Sequence, residues 1–167
     1  MNTSISILAL IVIVLLVLCG LSALRASRST RLCGLFRLDA KQYQLLGTDL
    51  GRNAGPIRLL VDGLIGVPDA LFRKRDGDLL IVGEAKSRHY RGRVTLYERY
   101  QVTLYMGMCI KRYGKPVAGR IRYGCGHVVP LSYDPEIYRH LKSLIPQYEK
   151  VVASFRAKGS RTRRQPA

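Results

Sequence analysis

Two apolar runs flank Arg75-Asp76-Gly77-Asp78, and Asp-Gly between apolar runs is the strongest short-range signal for a β-hairpin. With Asp76 and Gly77 as the loop residues, Asp69 falls directly opposite Glu84, and Val67 opposite Lys86. Opposite residues of an antiparallel pair point to the same face with Cβ atoms about 5 Å apart. Alternation along the second strand puts Glu84 and Lys86 on one face as well. This register gathers two acids and one amine on a single patch.

Two carboxylates this close repel, and one is pushed towards protonation unless a cation intervenes. A hard divalent ion such as Mg²⁺ suits them: it is held by one or two carboxylates, keeps several waters and takes further oxygens from a phosphate. Such an ion lowers the pKa of a bound water and neutralises charge developing on a phosphate. A lysine beside the pair can stabilise that charge or position the water. The bland alternative is an ordinary hairpin with an exposed salt bridge. Against it, Leu79-Leu80-Ile81-Val82-Gly83 is apolar on both faces, as in a central strand. Charged residues at the end of such a strand are costly unless paired or functional.

Three short motifs follow one another here: Gly66-Val67-Pro68-Asp69, Glu84-Ala85-Lys86 and Gln101-Val102-Thr103-Leu104-Tyr105. In this order and spacing the chain, from about Leu59 to Leu131, resembles the PD-(D/E)xK nuclease superfamily, in particular its RecB-type branch. The resemblance implies a restriction-endonuclease-like fold, with a mixed central sheet flanked by helices. It implies Asp69, Glu84 and Lys86 as catalytic residues. Asp69, Glu84 and the backbone carbonyl of Ala85 would ligate Mg²⁺ or Mn²⁺, and Gln101 and Tyr105 would support the site or contact nucleic acid. Many members add an acid or histidine from an upstream helix. Between Arg25 and Leu60 this chain has only Asp39 and Asp49, with no Glu and no His. Related exonucleases hold an iron–sulfur cluster through one upstream cysteine and a C-terminal group of three. Cys19, Cys33, Cys109 and Cys125 are scattered, so no cluster is expected.

The first 24 residues carry no charge, and Ile5 to Leu18 is almost purely aliphatic. The run is long enough to cross a ~30 Å hydrocarbon core as a helix. A cleaved signal peptide is the rival reading, but it normally begins with a basic stretch, and Met1-Asn2-Thr3-Ser4 has none. Arg25, Arg28 and Arg31 follow the span directly, so the positive-inside rule places the N-terminus outside and the rest in the cytoplasm. A single-pass protein, as in a bacterial inner membrane, is expected. Four expected regions follow: an anchor over 1–24, a basic juxtamembrane linker over 25–38, the nuclease-like domain over 39–156 and a basic disordered tail over 157–167.

The net charge of +17, from 28 Lys and Arg against 11 Asp and Glu, falls entirely after the anchor. Such a domain attracts polyanions, either DNA or acidic lipid headgroups. In Lys86-Ser87-Arg88-His89-Tyr90-Arg91-Gly92-Arg93, cations alternate with aromatics directly after the acid–lysine patch. Arg88, Arg91 and Arg93 are therefore expected to meet a phosphate backbone, with a solvated or lipid-facing loop as the alternative.

The remaining pattern predicts a short helix within 39–50, strands over 57–64, 67–73 and 79–85, and a helix over 94–113. A second hairpin over 117–131 turns at Gly124-Cys125-Gly126, and a final helix is capped by Asp134 and split at Pro146. The fold class is α+β with a mixed sheet, preceded by one transmembrane helix. No histidine pair has metal-ligand spacing, and the absence of G-x-S-x-G, P-loop or Cys–His signatures leaves acyl transfer and nucleotide hydrolysis without support. Three functions stay open: a membrane-anchored, metal-dependent DNA nuclease, a catalytically inactive, membrane-tethered nucleic-acid-binding module, or a structural membrane protein whose basic domain binds anionic lipid.

Overall fold

The computed structural model describes the backbone of residues 2–51 and 54–162, with side chains over 12–51 and 54–155. It is α+β: one long apolar helix leads into a mixed five-stranded sheet flanked by helices.

Helix α1 spans Asn2–Leu35 without a break. Val12–Leu35 is long and apolar enough to cross a membrane, and its most apolar stretch is not buried within the protein. The residues expected to form a linker after Leu24 are the last turns of this helix. Leu32 and Cys33 there, with Phe36 and Leu38 just beyond, are buried in the domain. Basic residues on the outer face of those turns concealed an apolar inner face.

Strand β1 (Tyr43–Thr48) replaces the short helix expected within 39–50. It pairs antiparallel with β4 (Ala70–Lys74), so its conformation is imposed by a partner distant in sequence. The strand expected over 57–64 is also corrected. Here β2 (Leu59–Val61) and β3 (Leu64–Gly66) form a separate small hairpin around Asp62-Gly63. Asp62 and Gly63 have φ of 52° and 77°. Positive φ at both loop positions is the signature of the type I′ turn that Asp-Gly favours.

Strand β5 (Leu80–Lys86) pairs with β4 in the expected register, Ala70 facing Gly83 and Arg73 facing Leu80. The connection differs from a two-residue turn. Lys74 N–H closes the ladder on Leu79 O, while Arg75 N–H turns away to Gln42 O. The loop is therefore Arg75 to Asp78.

From β5 the chain crosses through α2 (Leu96–Tyr113) to β6 (Val117–Tyr123), which lies parallel to β5. Strand β7 (Val128–Ser132) closes the sheet in the order β1-β4-β5-β6-β7. Helix α3 (Pro135–Ser143) begins at Asp134, whose carboxylate caps the Glu136 and Ile137 N–H groups. Helix α4 (Ile145–Thr162) follows, the break falling just before Pro146 as expected. It carries the expected disordered tail into helix as far as Thr162; positions 163–167 of that tail lie outside the described residues.

Two apolar layers sandwich the sheet. On one face Leu71, Leu80, Val82, Ile121 and Tyr123 pack with Val102, Met106 and Met108 of α2. On the other, Ala70, Phe72 and Ile81 meet Leu32, Cys33 and Phe36 at the end of α1. Strand β5 is buried from Leu80 to Glu84 and touches both layers. A β-carbon on Gly83 would lie 2.8 Å from the Phe36 ring, so only glycine lets α1 press onto the strand beside Glu84.

Candidate functional site

The β4–β5 ladder ends at Ala70 and Gly83; Asp69 lies in a bend just before β4, while Glu84 stays within β5. Asp69 is tied down by three bonds. Thr48 Oγ1 and the Asp49 N–H, both at the end of β1, donate to its carbonyl at 2.6 and 2.9 Å. The Ala85 N–H donates to its Oδ2 at 2.7 Å. The edge strand β1 thus clamps the acid from one side and β5 from the other.

Glu84 is only 4% exposed. Its Oε1 accepts from Lys86 Nζ at 2.9 Å and from Gln101 Nε2 at 2.8 Å. Lys86 Nζ also donates to Gln101 Oε1 at 2.7 Å, closing a three-residue ring of hydrogen bonds. Gln101 Nε2 reaches on to the Tyr105 hydroxyl at 3.4 Å. Glu84 Oε2 is buried and has no hydrogen-bond partner. A buried acceptor left empty is rare, because its lost hydration is not recovered.

Burial raises the pKa of Glu84; Lys86 opposes this and the nearby Asp69 adds to it. Burial likewise raises Asp69, against the Ala85 N–H and the Lys86 charge, and with a further push from Asp49. Both acids sit where their charged forms want more positive charge than the protein supplies. Among the described residues, no set of three His, Cys, Asp or Glu side chains gathers closely enough to hold a metal by itself.

Gly66 explains the geometry further out. A β-carbon there would lie 2.9 Å from the Tyr105 ring, so the chain leading to Asp69 runs flush against α2. The glycine of one short motif and the tyrosine of another are in contact. Tyr97, one turn before Gln101, is 74% exposed, with Lys86 Nζ 6.0 Å from its ring centre.

No family model matches this chain, and no curated protein matches it. Among solved structures, it is similar to the crystal structure of SSO0001, with 18% identity and a TM-score of 0.36, over 75% of this chain and 58% of that one.

The three loop arginines divide. Arg88 is committed inward: its Nε and Nη2 grip the two oxygens of Glu98 at 2.9 and 2.6 Å, and its guanidinium lies 4.8 Å from the Tyr123 ring centre. Arg91 and Arg93 are exposed, carry no salt bridge among the described residues, and with Arg88 and Thr95 line an open cleft of about 300 Å³. Arg88 is thus engaged with Glu98, whereas the guanidinium groups of Arg91 and Arg93 face the open cleft.

Sequence reasoning missed Glu98. It is 4% exposed and also accepts from the Thr95 N–H and the Tyr123 hydroxyl, at 2.9 and 3.1 Å. Burial alone would raise its pKa, but the Arg88, Thr95 and Tyr123 donors hold it down at about 2. The signal was present: Thr95-x-x-Glu98 before an apolar run is a capping box, and both of its reciprocal bonds form.

Proposed function

We propose that this chain is a membrane-anchored, Mg²⁺- or Mn²⁺-dependent DNA nuclease of the PD-(D/E)xK kind, RecB-like, on a restriction-endonuclease-like sheet. The observation that carries the reading is the empty Oε2 of Glu84, buried beside Asp69 and one residue from the Ala85 carbonyl. An orphaned carboxylate oxygen, a second acid of raised pKa and an adjacent carbonyl form an all-oxygen donor set that fits a hard divalent cation. Asp69, Glu84 and the Ala85 carbonyl would hold it. When bound, the ion supplies charge neutralisation at phosphate and a water of lowered pKa.

The residues themselves do the rest. Lys86 already donates to Glu84 Oε1 and keeps that oxygen occupied, which leaves Oε2 for the ion. Its ammonium is part-exposed, so it can also face the negative charge that grows on a phosphate oxygen. Gln101 holds Lys86 and Glu84 at once, fixing the ammonium relative to the carboxylate. Tyr105 packs on Gly66 and braces Gln101. Arg91 and Arg93 draw a DNA backbone towards the patch by displacing its counterions.

In the cell, α1 would span the membrane with the domain in the cytoplasm, as the uncharged start and Arg25, Arg28 and Arg31 favour. DNA and Mg²⁺ meet on that side.

A second reading is favoured by one observation: among the described residues no third His, Cys, Asp or Glu side chain joins Asp69 and Glu84 closely enough to hold a metal, although Asp49 is near enough to raise the pKa of Asp69. A domain whose site is incomplete would bind DNA without cutting it, as a tethered binding module. The deciding experiment incubates the purified full chain, in detergent micelles, with end-labelled single- and double-stranded DNA. Cleavage is expected with Mg²⁺ or Mn²⁺ and none with chelator. DNA binding without cleavage in either metal supports the binding module instead.

A further inference from the structure

Helix α4 leaves an apolar stripe in water. Leu144 before it, then Tyr148, Val151 and Phe155, recur at the spacing that puts them on one helical face. Tyr148 and Phe155 are 68% and 69% exposed, Val151 52%. Within its sequence the sole acid is Glu149, against Lys150, Arg156, Lys158 and Arg161, with Arg163 and Arg164 following. The stripe thus puts two exposed aromatics and a valine along one face of a basic helix.

We propose that α4 lies on the surface of an anionic phospholipid bilayer, as a second membrane contact besides α1; the proposal rests on the membrane anchoring proposed above, not on the nuclease activity. Three observations select this occupant. The basic residues complement acidic headgroups, while the apolar face can enter the headgroup boundary to a shallow depth. A second copy of the chain would bring the same positive helix and the same net charge of +17 to the interface, which disfavours pairing through this face. Finally, α1 is long and apolar enough to hold the domain at a bilayer, so α4 meets the surface at high effective concentration and a weak contact suffices. Together the two contacts would fix the orientation of the sheet towards the membrane, rather than leave the domain swinging on one helix.

The chain contains no tryptophan, so Phe155→Trp places a single fluorescent probe on the stripe. The full-length variant is reconstituted into vesicles of phosphatidylcholine alone or mixed with phosphatidylglycerol, each with brominated phosphatidylcholine as a quencher. Flotation with both vesicle types reads the anchor; quenching of the introduced indole's fluorescence reads α4. Expected are flotation in both and strong quenching only with phosphatidylglycerol. Replacing Tyr148 by Ser in the same background should weaken docking roughly tenfold or more, the effect of removing a buried aromatic from the apolar phase. In the unsubstituted protein, trypsin should cut after Arg156, Lys158 and Arg161 more slowly on the anionic vesicles. Flotation without quenching or protection overturns the proposal and leaves the anchor intact. A blue-shifted emission that follows protein concentration instead of lipid charge overturns it in favour of self-association. Failure to float overturns both the anchor and the proposal.

Discussion

Glu84 and Glu98 are the same side chain at the same burial, 4% exposed each, and they have opposite fates. Glu98 has a donor for each oxygen: Arg88 Nε on Oε1, and on Oε2 Arg88 Nη2, the Thr95 N–H and the Tyr123 hydroxyl. Its pKa falls to about 2. Glu84 has two donors on Oε1 and none on Oε2, and its pKa rises. Burying a carboxylate is costly, and the cost is offset only when fixed donors meet it. Where they do, as at Glu98, the acid knits a loop, a helix start and a strand together. Where they stop short, as at Glu84, one oxygen is left without a partner and the pKa stays raised. Burial alone does not decide which way a buried acid's pKa moves; the donors on each oxygen do.

Exchanging the two acids' roles gives the largest effect. Glu84→Ala and Asp69→Ala should each lower metal-dependent cleavage by about 10²–10³-fold or more, the scale on which lost electrostatic stabilisation slows a reaction, with folding intact by circular dichroism. Lys86→Arg should not restore what Lys86→Ala loses, since a planar fork is not a compact ammonium. Glu98→Ala should do the reverse. It removes the capping box and leaves Arg88 and the buried Tyr123 hydroxyl without their partner, so stability should drop by about 2–4 kcal/mol, as for lost hydrogen bonds to a charged group. Residual activity per folded molecule should survive. Equal activity loss in both variants at equal folded fraction would erase the distinction.

A smaller effect sharpens the same contrast among the arginines. If Arg91 and Arg93 meet phosphates, removing both should flatten the log–log salt dependence of DNA binding by about 2 units. Arg88→Ala should act through thermal stability instead, because its guanidinium is spent on Glu98. A slope unchanged by the double variant would place the cleft away from DNA.

The smallest effect is in pH, and its sign differs between the two acids. Glu98 has a lowered pKa, so its stabilisation is complete above the ordinary value of 4.5 and is lost as pH falls towards about 2. Glu84 has a raised pKa, so the folded protein keeps its proton to higher pH than the unfolded chain. Metal-free stability should therefore decline as pH rises from 4.5 through the raised value. Thermal unfolding in chelator across this range should show Glu98→Gln flattening the acid limb and Glu84→Gln flattening the opposite one. Both variants flattening the same limb would refute the assignment.

What could be read from sequence was local or forced by register. Asp76-Gly77 set the pairing of Asp69's strand with Glu84's, although the loop proved longer. Gly114 ends α2 just before the expected Lys115-Pro116 break, and Asp134-Pro135 starts α3. What escaped depended on distant partners. Tyr43 to Thr48 is a strand because β4 lies beside it. Asp62-Gly63 was hidden inside an apolar run, its turn visible only once Leu59 to Gly66 folds back. At the site, the acids and Lys86 could be grouped from one hairpin. The empty oxygen could not, because it depends on where Gln101, one helix later, points. Glu98 was missed although its capping box was in view, since its other partners come from the loop and from β6.

The most direct measurement is a calorimetric titration of Mg²⁺ into the purified full chain and into Glu84→Gln, with Glu98→Gln as the matched control for a buried acid. If Glu84 Oε2 is kept for a cation, the wild-type protein and Glu98→Gln bind Mg²⁺ at one saturable site, and Glu84→Gln, folded, does not. Binding of equal strength by Glu84→Gln, or none by the wild type, would mean that the empty oxygen serves no metal.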